Sequence, residues 1–137
     1  MLLLHIGAAL IGIVCATWRN AVFFKRGSIL PVLQKIVWLA LLTLAATGGG
    51  LLLSKPALLH SPAFWLKMFF VGGILVSEFY LARRKVIWAG FVSLFTWYFS
   101  FFWSGLERVP LSYAAILGLY FGVGLLSFLA ARKYGYT

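Results

Sequence analysis

The chain has 137 residues, 64% hydrophobic and 18% aromatic, and only 10% carry a charged side chain. A soluble domain carries about 25% charged residues, so a mean hydropathy of +1.02 makes lipid the fitting solvent. The net charge of +10, from 12 Lys+Arg against 2 Asp+Glu, would suggest nucleic acid in a soluble chain. Here the basic residues fall between apolar runs and leave no basic face for such a partner.

Taken in order, the apolar runs predict five transmembrane helices, at about 2–24, 33–53, 63–82, 86–103 and 111–131. Met1–Leu4 lacks the basic residues that open a signal peptide, so the first run is expected to be a mature helix. Lys25 and Arg26 follow it, and Pro31 precedes the second helix. A loop, SKPALLHSP, leads to the third, PAFWLKMFFVGGILVSEFYLARRK, which ends in three positive charges. The fourth helix is strongly aromatic (FVSLFTWYFSFFW), and SGLERVP separates it from the fifth. The expected architecture is an all-α integral membrane protein, one helical domain over residues 1–137. Four helices is the alternative, if the fourth re-enters.

Orientation follows from the basic residues. With the N-terminus outside, Arg19, Lys25, Arg26, Lys35, Arg83, Arg84, Lys85, Arg132 and Lys133 face the cytoplasm, and Lys55, Lys67 and Arg108 face outward. Nine against three is a strong positive-inside bias, and it puts the C-terminus in the cytoplasm. Trp18, Trp38 and Trp88 then fall at inner helix ends and Trp65 and Trp103 at outer ends, the headgroup depth such rings prefer. Trp97 falls within a span and is assigned to packing. Small residues at four-residue spacing (Ala8, Gly12, Ala16; Gly73, Ser77; Ala114, Gly118, Gly122) predict close helix contacts, within one chain or between chains.

Ions inside these spans are the candidates for chemistry, because each costs roughly 2.5–3.5 kcal/mol on insertion scales. Lys67 and Glu78 are eleven residues apart, so they share a helix stripe with Val71 and Ile74. Arg19, Glu78 and Arg83 read as a structural ion-pair group near the cytoplasmic interface; the alternative for Glu78 is a proton or ion relay. Lys67 either snorkels to the outer headgroups or binds an anionic group. His5 opens the first helix and His60 lies in the outer loop, so a metal set of His5, His60 and Met68 is conceivable, although two histidines without fixed spacing make a thin one. Gly48, Gly49 and Gly50 are expected to interrupt the second helix, through tight packing or to let a flat ligand lie on exposed backbone. Cys15 stands alone, so no intrachain disulfide forms. No phosphate loop, zincin pattern, nucleophile elbow or carboxylate pair is present. Whether the chain is an enzyme stays open.

The order of LHIGAALIG, TGGGLLL and P-x-x-FWLKM across the first three helices resembles the copper-resistance D family and the related bacterial membrane protoporphyrinogen oxidases. The resemblance covers roughly residues 2–85. It implies a multi-helix protein of the bacterial inner membrane that handles haem, porphyrin or a metal such as copper at its outer-leaflet side. His5 takes the place of the family's first-helix histidine and Lys67 that of its third-helix lysine, with Gly48–Gly50 as part of a cofactor-binding surface. Helices four and five lie outside the resemblance, and the family's further histidines are not evident. The competing readings are a non-catalytic accessory or assembly subunit of a larger membrane complex, and a small oligomeric transporter.

Overall fold

The computed structural model describes residues 2–84, 86–106 and 112–133. It is all-α, with α1 Leu2–Arg26, α2 Pro31–Ser54, a short 3-10 helix Pro56–His60, α3 Pro62–Arg84, α4 Ile87–Leu106 and α5 Tyr113–Lys133. α1, α2 and α3 are each long and apolar enough to cross a membrane; the apolar parts of α4 and α5 are shorter. Of the sequence expectations, Lys85, Arg108 and the Leu111 start of the fifth helix lie outside the described residues. The chain resolves into two compact units, residues 1–65 and 66–137.

The first unit is a helical hairpin. α1 closes on Gly27, whose φ of +64° is the left-handed conformation that glycine adopts without steric cost. Its N–H bonds the Phe23 carbonyl at 2.8 Å, capping the last turn. Leu30 is extended, as a residue before proline must be, and Pro31 opens α2. This corrects the expected start at residue 33: proline at the first helical position gives up only an N–H that had no helical partner there. The short connection makes α1 and α2 antiparallel neighbours. Ala8, Gly12 and Ala16 are buried on α1, as their spacing predicts, and α2 contributes Leu33, Val37, Ala40 and Leu41.

The glycine run does not interrupt α2. The helix continues through Gly48–Gly50 to Ser54. Three glycines weaken a helix in water by about 1 kcal/mol each. In an apolar surrounding an opened turn would strand its peptide groups without partners, which costs more. After α2, Pro56 starts the 3-10 helix inside what the sequence offers only as a loop, and Trp65 Nε1 donates to the Leu59 carbonyl at 2.9 Å.

In the second unit, α3 from Leu66, α4 and α5 share an aromatic core. Leu66, Phe70, Trp103, Ile116 and Tyr120 are its buried members, with Phe95, Phe99 and Leu117 packed against them. Tyr120 is the hub, its ring centroid 5.0 Å from Phe70, 5.1 Å from Phe95 and 5.2 Å from Phe99. Such offset and edge contacts add stabilisation beyond the buried area. Trp97 is buried, as assigned from its depth, but Trp103 is buried too, at 5% exposure. Its indole belongs to the same buried cluster as Phe70 and Ile116, so this ring is turned towards its neighbours. On α5, Ala114, Gly118 and Gly122 are exposed, and nothing lies within 4 Å of a Cβ built on either glycine. The described residues therefore leave that small-residue face uncovered, while Gly124 approaches Phe95.

Candidate functional site

Each unit holds polar side chains inside its apolar packing. In the hairpin they fall at two levels. At one end, His5 Nδ1 lies 2.8 Å from Thr47 Oγ1, and Thr47 Oγ1 is 2.7 Å from the Thr43 carbonyl. A threonine hydroxyl has one proton. The arrangement that makes both bonds has the hydroxyl donating to the carbonyl and Nδ1–H donating to Thr47 Oγ1. The orientation of the ring is then set by the threonine. The ring sits against Gly48, where an added Cβ would be 3.7 Å from His5 Cε1. His5 and Gly48 are thus brought together. Gly49 has nothing within 4 Å of an added Cβ, and Gly50 is half-buried in the same helix.

Towards the other end of the hairpin, Arg19 is fully buried and its Nη1 donates to Gln34 Oε1 at 2.8 Å. Asn20 beside it is also fully buried, and neither amide atom finds a hydrogen-bond partner among the described residues. His60 ends the 3-10 helix and is exposed. Cys15 is half-buried.

In the second unit, Glu78 is fully buried on α3 and accepts a hydrogen bond from Ser93 Oγ of α4. One helical turn further along α4, Thr96 Oγ1 donates to the Val92 carbonyl and lies 2.7 Å from Tyr120 Oη. The arrangement that makes both bonds has the tyrosine hydroxyl donating to Thr96 Oγ1. Gly73 on α3 makes room for this pair, since a Cβ there would lie 3.5 Å from Thr96 Cγ2 and 3.7 Å from Tyr120 Oη. Lys67 is half-buried near the start of the unit. Met68 is exposed and lines an apolar groove with Phe69, Gly72 and Val76. Arg83 is exposed, its guanidinium 5.1 Å from the Phe79 ring centroid, a cation–π contact.

His5, Arg19 and Glu78 stand out in the sequence, but the groups that hold them do not. Thr47, Gln34 and Ser93 are the missed residues, together with Asn20 and the Thr96–Tyr120 pair. The available signal was position: Thr47 stands directly before the three glycines, and Ser93 and Thr96 are three apart on a helix. Among the described residues, no three His, Cys, Asp or Glu side chains gather where a metal ion could sit.

Fold and site together define a class: an all-helical chain with three helices able to cross a membrane and buried polar pairs between helices. No family model, curated protein or solved structure matches it.

Proposed function

We propose that the chain is a five-span protein of the bacterial inner membrane, N-terminus outside and C-terminus cytoplasmic, that handles haem, porphyrin or a metal ion such as copper at its outer side. The observation that carries this reading is the clamped histidine. His5 Nδ1 is held by Thr47 Oγ1 and the ring lies against Gly48, so the imidazole has a set orientation from which to meet a ligand. The bias of basic residues toward one set of helix ends supports the orientation.

Gentle purification followed by absorption spectroscopy and metal analysis tests the reading. Wild-type protein is expected to take up added haem with a Soret band, or to retain copper, and His5→Ala to lose that uptake. Protein that takes up neither, or a His5→Ala variant that takes up as much as wild type, overturns it.

The uncovered small-residue face of α5 favours a second reading, an accessory subunit that packs this face on a larger membrane partner or on another copy. A lone monodisperse monomer after mild extraction would argue against it.

A further inference from the structure

We propose that the inner end of the α1–α2 hairpin is a binding site for an anionic phospholipid of the cytoplasmic leaflet. A groove of about 400 Å³ opens there, lined by Trp18, Ala21, Val22, Lys25, Arg26 and Leu30. Its walls are apolar and its two cations stand side by side in the last turn of α1. Both are exposed, as is Trp18, at 61%. An apolar trough with a cationic mouth fits an amphiphile with a negative head: acyl chain against Trp18, Val22 and Leu30, phosphate at Lys25 and Arg26.

Charge balance singles out the occupant. Residues 1–65 contain five cations (Arg19, Lys25, Arg26, Lys35 and Lys55) and no Asp or Glu. The hairpin therefore has no carboxylate of its own to neutralise Lys25 and Arg26. The carbonyls at the end of α1 attract them, and this is their ordinary structural role. That role needs neither the groove nor the exposed indole beside it. A phosphodiester headgroup supplies the missing counter-charge at the depth where a tryptophan is also most stable.

The inference rests on the membrane reading above, which recovery of the full-length protein in the membrane fraction tests separately; a chain found outside membranes removes both. The proposal itself is tested by native mass spectrometry of the detergent-extracted protein with phosphatidylglycerol or phosphatidylcholine. Wild type is expected to retain phosphatidylglycerol preferentially, and excess inorganic phosphate to leave it in place. Each basic residue at an anionic surface strengthens binding about five-fold, so Lys25→Gln/Arg26→Gln should weaken retention roughly 25-fold. Lys55→Gln removes one cation of the same unit away from the groove and should change nothing. Equal retention of the two lipids, displacement by inorganic phosphate, or equal losses in the double variant and Lys55→Gln would each overturn the site.

Discussion

The two units solve the same problem, holding apolar helices together, by different means. The hairpin relies on small residues that let two backbones approach, with side-chain hydrogen bonds between its helices that include His5–Thr47 and Arg19–Gln34. The three-helix unit relies on bulk: rings meet around Tyr120, and hydroxyls bond inside the packing, Ser93 to Glu78 and Tyr120 to Thr96. The difference follows from geometry. Two helices enclose no interior, so their stability comes from closeness along a seam. Three helices leave a gap between them that only large side chains fill.

The largest expected effect is in the ring cluster. Tyr120→Ala removes the hub and should destabilise the second unit by about 3–5 kcal/mol, seen in chemical unfolding followed by tryptophan fluorescence. Tyr120→Phe keeps the ring and should cost only about 0.6 kcal/mol, the average for a side-chain hydrogen bond between membrane helices. If the two variants cost the same, the hydroxyl and not the ring holds this unit. Next comes the hairpin seam. Ala16→Leu overpacks a fully buried position and should cost about 1–3 kcal/mol. Gly118→Leu on the uncovered face of α5 should leave the unfolding midpoint of the monomer unchanged. Ser93→Ala strips a hydrogen bond from the buried Glu78 and should cost about 1–2 kcal/mol, with Ser93→Thr restoring most of it. Thr47→Val should cost little, about 0.6 kcal/mol in stability. Because it frees the His5 ring to turn, the same variant should weaken haem or copper uptake by 10-fold or more, if His5 ligates. Unchanged uptake in Thr47→Val would detach ligand binding from the clamp.

His5, Arg19 and Glu78 were legible because an ionisable group in an apolar run stands out against its neighbours, and burial of Arg19 and Glu78 fits that reading. Their partners were not, because threonine, serine and glutamine are unremarkable in such runs, and which of them meets an ion depends on how each helix is turned about its axis. The burial of Trp103 was hidden for a related reason: depth along a helix is readable from a sequence, but the face on which a ring lies depends on its neighbours. The glycine run was misjudged because propensity measured in water does not weigh what an apolar surrounding would cost an opened turn.

Composition and run length alone determined the all-α class, the number of long helices and, among the described residues, their bounds to within about three residues, since these depend on local apolarity and on the rise of a helix. Only the tertiary structure decided that His5 meets Thr47, that Arg19 meets Gln34, that Glu78 meets Ser93, and that α5 leaves its small-residue face open. Those pairings are set by helix rotation and register, which arise from how side chains of distant segments fit together and are written in no single stretch of the chain.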